Sequence, residues 1–105
     1  WANNNINLSK AREYIDKALA ILPNDAAILD SKGWVLYKLG KYKSAESYFV
    51  KALKISQDTE IVSHFIKLLI KLKKLDRAKQ IYARYIKISP QDENLIKLKK
   101  ILNEI

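Results

Sequence analysis

The side chains best suited to chemistry are few and widely spaced in this sequence. The chain of 105 residues contains one histidine, His64, and no cysteine. A zinc site normally needs three or four thiolate or imidazole ligands, so one copy of this chain cannot supply them. Ser63 precedes His64, but neighbours on a helix point ~100° apart and cannot work as a nucleophile and its base. The sequence therefore predicts no metal site, and His64 is interpreted as a packing or surface-lining residue.

The close pairs of carboxylates in the sequence do not resemble the acid and base of a catalytic site. Glu13 and Asp16 are close in sequence, but Lys17 lies four residues after Glu13, a spacing that predicts an ordinary helix-surface ion pair between them. Asp92 and Glu93 open a helix, where negative charge suits the helix dipole. The two glycines are separated by helical sequence, so no phosphate-binding loop is present. We expect no catalytic site and no cofactor.

The charge of the chain is strongly positive and uneven. Twenty Lys and Arg residues face 11 Asp and Glu, a formal net charge of +9, and residues 61–105 hold 11 of the basic side chains and four of the acidic ones. Such a surface suits an anionic partner, although a lysine-rich composition also serves simply to solvate helices. No apolar run reaches the ~18 residues of a membrane span. A cysteine-free chain suits an oxidising envelope compartment, such as a periplasm, and the cytoplasm equally, so the compartment stays open.

An internal repeat organises the sequence. Three segments align at steps of 34 and 33 residues: LSKAREYIDKALAILP at 8–23, YKSAESYFVKALKISQ at 42–57 and LDRAKQIYARYIKISP at 75–90. In each copy, small or apolar residues recur at spacings of three and four, which predicts a helix with one buried stripe. The segments between them, at 25–39 and 59–72, are also helical in pattern, and the short connections predict antiparallel hairpins.

The two glycines have different predicted roles. Gly40 stands where a helix ends and a positive φ is wanted, which glycine adopts without a Cβ penalty. Gly33 lies inside a helix, where glycine costs about 1 kcal/mol relative to alanine. We therefore predict that a neighbouring helix approaches closely at Gly33, with Ala45 and Ala52 as the small residues opposite.

These residues carry a family resemblance. Six positions match the tetratricopeptide repeat pattern in register: Gly33, Gly40, Tyr42, Ala45, Phe49 and Ala52. The resemblance implies an all-α solenoid of antiparallel helix hairpins in a single domain, with a partial repeat at 1–24, repeats at 25–57 and 58–90, and a capping helix at 91–105. Helical periodicity places Leu95, Leu98, Leu102 and Ile105 on one, buried face of that last helix, with Lys97, Lys99, Lys100 and Glu104 off it. The stretch AAILDSKGWVLYKLGKY also resembles the C-terminal repeats of multi-repeat scaffold proteins and lipoproteins of proteobacteria.

The resemblance also implies a binding surface. In this family the first helix of each hairpin lines the concave groove that holds a peptide. By register, nine residues are the predicted contacts: Asp30, Trp34, Tyr37, Lys38, Ser63, His64, Lys67, Lys71 and Lys97. Members that clamp a chaperone carboxylate use lysine and asparagine where this chain has Asp30 and Trp34, so the sequence does not predict that clamp.

The sequence is compatible with three functions. We expect a scaffold that binds a protein or peptide in the groove. The alternatives are electrostatic binding to nucleic acid or an anionic membrane, which is less favoured, and structural stacking within a longer array. The first residue is Trp1 and methionine is absent, from which we expect a piece of a longer chain. We also predict that Tyr14, Ile15 and Leu19 are exposed or support self-association through the N-terminal edge.

Overall fold

The computed structural model describes residues 5–103, which form α-helices and short connections. Six helices are present in this range: α1 (Asn5–Ile21), α2 (Ala26–Lys38), α3 (Tyr42–Ile55), α4 (Thr59–Lys71), α5 (Leu75–Ile88) and α6 (Glu93–Asn103). α1 begins three residues before the predicted start near Leu8, and Pro23 and Pro90 each follow the end of a helix. The chain divides into two compact units, Trp1–Gln57 and Asp58–Ile105.

Aspartates begin three of the helices. The side chain of Asp25 accepts a hydrogen bond from the Ile28 amide (3.0 Å), and that of Asp58 accepts one from the Glu60 amide (2.8 Å). Asp92 accepts one from the Leu95 amide (3.2 Å), as expected from its predicted place at a helix N-terminus. Each bond satisfies an amide that has no partner within its own helix.

In the first unit, α2 and α3 pack tightly at Gly33. A Cβ atom on Gly33 would lie 2.8 Å from Cε1 and 2.9 Å from Cδ1 of Phe49. Phe49 is fully buried, together with Ala45 and Ala52 on the same stripe of α3. The predicted close approach is confirmed, and its direct cause is an aromatic ring lying against the bare backbone of α2.

A buried lysine links α1 to α2. Lys32 is 5% exposed, and its ammonium group forms an ion pair with the carboxylate of Asp16 on α1. The same nitrogen lies 5.9 Å from the ring centroid of Tyr48 on α3, within cation–π range. The long side chain thus contacts both helices that flank α2. Tyr14 on α1 is 71% exposed as predicted, whereas Ile15 and Leu19 are half-buried.

The second unit packs α4 against α5 and α6. Most of α4 is buried, including Val62, Ile66, Leu68 and Leu69. On α6, the predicted stripe of Leu95, Leu98 and Leu102 is buried, while Lys97, Lys99 and Lys100 are exposed. Glu104 and Ile105, which the sequence also assigned to this helix, lie outside the described residues.

Two equivalent turns close the helix hairpins with left-handed residues. Gly40 has φ +80°, as predicted, and Lys73 has φ +60° at the equivalent place after α4. At each turn two amide groups bond back into the preceding helix, from Gly40 to Tyr37 and Lys41 to Leu36, and from Lys73 to Ile70 and Lys74 to Leu69. This is the Schellman arrangement, which favours glycine at its left-handed position.

Replacing Lys73 with glycine is expected to stabilise the second unit. A non-glycine residue in the left-handed region costs about 1 kcal/mol, and Lys73→Gly removes that cost. Gly40→Ala introduces the same strain at the equivalent turn, so it should lower the free energy of unfolding by a similar amount. Urea denaturation of both variants checks the prediction, and a destabilised Lys73→Gly protein would contradict it.

Candidate functional site

Three aromatic side chains of the first unit form a row of ring contacts. The rings of Trp34 and Tyr37, one turn apart on α2, are stacked with centroids 5.0 Å apart and planes 12° apart. The Tyr42 ring at the start of α3 meets Tyr37 at 5.7 Å with a tilt of 59°. All three side chains are half-buried, which leaves part of each ring open to a ligand. Rings at this separation attract one another beyond the effect of burial alone.

A lysine accompanies the rings. The Lys38 ammonium nitrogen lies 5.0 Å from the Trp34 centroid and 6.0 Å from the Tyr37 centroid, within cation–π range. Lys38 is exposed, so its charge is also available to a carboxylate from solution. We call Trp34, Tyr37, Lys38 and Tyr42 the aromatic surface. It can pack an apolar side chain against its rings and pair an acidic group with its cation.

Asp30 lies deeper than the other predicted contacts of α2. It is one turn before Trp34 but only 8% exposed, and it takes part in interactions within the protein. A buried carboxylate with partners of its own helps to fix the helix on which the rings stand. Its placement leaves little surface for a ligand to touch.

The predicted contacts of the second unit differ among themselves in exposure. Ser63 is 5% exposed, His64 and Lys67 are half-buried, and Lys71 and Lys97 are exposed. Lys67 and Lys71 are one turn apart on α4, while Lys97 lies on α6. The exposed ammonium groups of α4 and α6 are therefore available to anionic groups. Ser63, in contrast, is buried inside the unit.

A polar cluster joins the starts of α4 and α6. Thr59 donates a hydrogen bond from its hydroxyl group to the Asp92 carboxylate (2.6 Å) and accepts one from the Asn94 amide (3.4 Å). The bond from Thr59 holds the pKa of Asp92 below its ordinary value, and the backbone amides of Leu95 and Asn94 act in the same direction against the effect of burial. The folded protein thus favours the charged form of Asp92.

Asp92 should make stability depend on pH in the acidic range. The pKa of Asp92 is lower in the folded state than in the unfolded state. The contribution of Asp92 to the free energy of unfolding is therefore complete above the unfolded-state pKa of about 3.9 and is lost as the pH falls through the folded-state pKa. Asp92→Asn should therefore be less stable than the natural chain at neutral pH, and this difference should shrink between about pH 5 and pH 2.5. Urea denaturation across that range tests it. A difference that stays constant with pH would contradict the assignment.

The sequence did not predict the contacts of two side chains, Tyr42 and Lys32. Tyr42 entered only as part of the repeat pattern, and its contact with Tyr37 across the turn of Gly40 was not predicted. Lys32 was overlooked because it lies among helical residues of ordinary polarity, 16 positions from its partner Asp16. A signal existed for Lys32, since it directly precedes Gly33, the residue predicted to lie against another helix.

Within residues 5–103, no group of three His, Cys, Asp or Glu side chains is arranged to hold a metal ion. Over the same range, no helix combines the length and apolarity needed to cross a bilayer.

Relatives of known sequence share the repeat. A region of a TPR repeat-containing protein of Pseudomonas aeruginosa is 43% identical over 63 residues, which is 60% of this chain and 11% of that protein. Tetratricopeptide repeat protein 21B of Xenopus laevis is 33% identical over 81 residues, 77% of this chain and 6% of that protein. The chain thus spans about a tenth or less of the length of either relative. The first likeness agrees with the predicted resemblance to multi-repeat proteins of proteobacteria.

Solved structures have the same fold. A thermophilic TPR protein of Thermus thermophilus matches with a TM-score of 0.86 and 26% identity, covering 93% of this chain and 50% of that one. The first TPR domain of Spaghetti (RPAP3), bound to an HSP90 peptide, matches with a TM-score of 0.81 and 19% identity, and the match covers 95% of this chain and 80% of that one. The predicted all-α solenoid class is confirmed by these likenesses.

The family model for the tetratricopeptide repeat matches residues 36–102, more than half of the chain. The fold commonly mediates protein–protein interaction, and proteins that have it are typically non-enzymatic scaffolds. The repeat spacing, the glycine turn, the Gly33–Phe49 packing and the sequence match agree: the chain belongs to the tetratricopeptide-repeat family.

Proposed function

We propose that this protein is an interaction module that holds a peptide or helical segment of a partner protein on its aromatic surface. The observation that carries the proposal is the row of Trp34, Tyr37 and Tyr42, with three half-exposed rings in mutual contact and Lys38 beside them. Tryptophan and tyrosine dominate binding hot spots, since they offer a large contact area with few rotatable bonds.

Contact among the rings prepares this surface for binding. Trp34 stacks on Tyr37, and Tyr37 leans on Tyr42, so each ring restricts the rotation of the next. A partner then loses less side-chain entropy on binding than it would against freely rotating rings. Lys38 adds a preference for a segment with an acidic residue close to an apolar one.

We assign a supporting role to the exposed lysines of the second unit. Lys71 and Lys97 are exposed on α4 and α6, with Lys67 half-buried one turn before Lys71. Exposed ammonium groups speed the approach of an acidic partner and contribute modestly to affinity. Removing one of them should change the salt dependence of binding more than its strength.

One structural neighbour binds a peptide, which supports a peptide as the kind of partner proposed here. The first TPR domain of Spaghetti (RPAP3) is bound to an HSP90 peptide with the sequence SRMEEVD. At 19% identity that likeness concerns the fold. We do not extend the HSP90 peptide to this chain, because Asp30 and Trp34 stand where the clamp residues of such domains are expected.

Electrostatic binding to nucleic acid or an anionic membrane is the second candidate. It is favoured by the basic second unit, in which residues 58–105 contain 11 Lys and Arg against six Asp and Glu. Binding of this kind neutralises phosphates, so its strength falls steeply with salt and does not depend on aromatic rings.

Affinity capture tests the proposal. The natural chain and the double variant Trp34→Ala/Tyr37→Ala serve as baits at about 150 mM and 500 mM salt, where charges are screened within about 8 Å or less. We expect a protein that the natural chain retains at both salt concentrations and that the double variant loses. Ile88→Ala is the matched control, because it removes a side chain that is 66% exposed at another place. Capture that disappears with salt and survives the double variant would favour the electrostatic candidate.

A further inference from the structure

The outer face of α5 carries a row of hydrogen-bond donors. Arg77, Gln80, Arg84 and Lys87 are all exposed, and their spacings of three and four residues place them on one side of the helix. Lys73 lies four residues before Arg77, in the turn that leads into α5, and is exposed as well. We call Lys73, Arg77, Arg84 and Lys87 the basic row. Because α5 has 14 residues, the row extends over about 20 Å.

Lys73 begins the row in a strained conformation. Its φ of +60° lies in the left-handed region, which glycine adopts at the equivalent place, Gly40. The helix dipole does not account for a lysine here, because Lys71 already places a cation in the last turn of α4. Strain that is retained at an exposed residue points to a role for its side chain.

The equivalent helix of the first unit shows that the fold does not require all of these cations. Gly40 and Ser44 stand 33 residues before Lys73 and Arg77, and the other two positions of the row are lysines in α3. Ser44 is exposed like Arg77, so a small neutral side chain is tolerated at this place. The basic row therefore has two cations beyond those at the same positions of the first unit.

The two arginines of the row are restrained by aromatic rings. The guanidinium carbon of Arg77 lies 5.6 Å from the ring centroid of Phe65 on α4, and that of Arg84 lies 5.8 Å from the ring centroid of Tyr85. Within residues 5–103, neither guanidinium forms an ion pair with a carboxylate. A restrained guanidinium loses less side-chain freedom when it pairs with an anion, and its planar fork matches the oxygens of a phosphate.

The side chains of the row indicate the kind of anion. Between Lys73 and Lys87, no large apolar side chain is exposed. A helix that binds a membrane surface inserts such side chains, and they also form the centre of most protein interfaces. A nucleic acid duplex instead presents a line of phosphates, with one negative charge per ~1.7 Å of its axis. The one acidic residue of α5, Asp76, lies in the first turn, where negative charge suits the helix dipole.

We propose that the basic row binds the phosphate backbone of a nucleic acid duplex, without regard to base sequence. This gives the electrostatic candidate a definite surface, and the aromatic surface takes no part in it. Contact with four phosphates makes the logarithm of the binding constant fall with the logarithm of the salt concentration at a slope of about −3.6. The two lysines at the corresponding positions of α3 bind far more weakly, because each phosphate contact contributes about tenfold at low salt.

Fluorescence anisotropy with the full chain tests this proposal. The probe is a labelled DNA duplex of about 20 base pairs, for which we expect a Kd on the order of 10 µM at about 50 mM salt. Lys73→Gly should weaken binding about tenfold and reduce the steepness of the salt dependence by about 0.9, although this variant is expected to be more stable than the natural chain. Arg84→Gln should have the same effect on binding, through the loss of another phosphate contact.

Lys41→Gln and Lys51→Gln are the matched controls, since each removes one exposed lysine from the equivalent turn or helix of the first unit. Binding should change by less than about twofold in either. Losses equal to those of Lys73→Gly and Arg84→Gln would overturn the proposal, because net charge alone would then set the affinity. So would binding to phosphatidylserine vesicles with no binding to the duplex. The titration uses no ligand of the aromatic surface, so its failure is separate from failure of the proposed function.

Discussion

Gly33→Leu is expected to lower the free energy of unfolding by about 3 kcal/mol. A Cβ atom at this position already falls 2.8 Å from the Phe49 ring, and a leucine side chain extends further into the same space. Phe49 is fully buried and cannot turn aside without disturbing its neighbours. Overpacking of a close-packed core commonly costs 1–3 kcal/mol, and this case lies at the upper end. Urea denaturation followed by circular dichroism measures the loss.

Two further variants test whether the lower stability of Gly33→Leu comes from its contact with Phe49. Ser31→Leu puts the same side chain on the exposed side of α2, where we expect a change within about 0.5 kcal/mol. Phe49→Ala alone should cost about 3–5 kcal/mol, but much less in the Gly33→Leu background, because the leucine fills the vacated space. Strictly additive losses in the double variant would mean that the two positions do not share this contact.

Trp34→Ala should weaken binding of the captured partner by about 30-fold or more. A central tryptophan of an interface typically contributes 2 kcal/mol or more when it is truncated, which corresponds to that factor. Trp34→Phe keeps a ring for Tyr37 to stack on and should cost less. Isothermal titration of the natural and variant chains with the partner measures both.

The stability of the Trp34 variant separates a binding role from a packing role. Trp34 is half-buried, so we expect Trp34→Ala to lower the free energy of unfolding by about 1.5 kcal/mol at most. A loss comparable with the 3–5 kcal/mol expected for Phe49→Ala would place the indole in the core. In that case reduced binding would reflect damage to α2.

The repeat made much of the fold predictable from sequence. Gly33 and Gly40 were informative because glycine is otherwise absent, and each has the role assigned to it, one facing an aromatic ring and one at a positive φ. The stripe of Leu95, Leu98 and Leu102 on α6 followed from helical periodicity alone. These features depend on local spacing, which a single sequence displays directly.

Contacts between helices were harder to predict. The Lys32–Asp16 ion pair joins residues 16 apart, and the place of Lys32 directly before Gly33 indicates burial of that lysine without indicating its partner. Lys73 takes a left-handed conformation that its residue type disfavours, because the turn after α4 is fixed by the packing of the hairpin. Among the predicted contacts, Asp30 and Ser63 were chosen by register, and their burial depends on neighbours that register does not reveal.

The most direct test of the account is the indole N–H resonance of Trp34 during titration with the captured partner. The chain has two tryptophans, so Trp34→Phe assigns the signal by removing it. We predict a saturable shift of the Trp34 resonance that persists at about 500 mM salt, where exposed charges are strongly screened. A Trp34 signal that stays unmoved while the partner binds, with binding abolished by salt, would contradict the claim that the aromatic surface holds the partner.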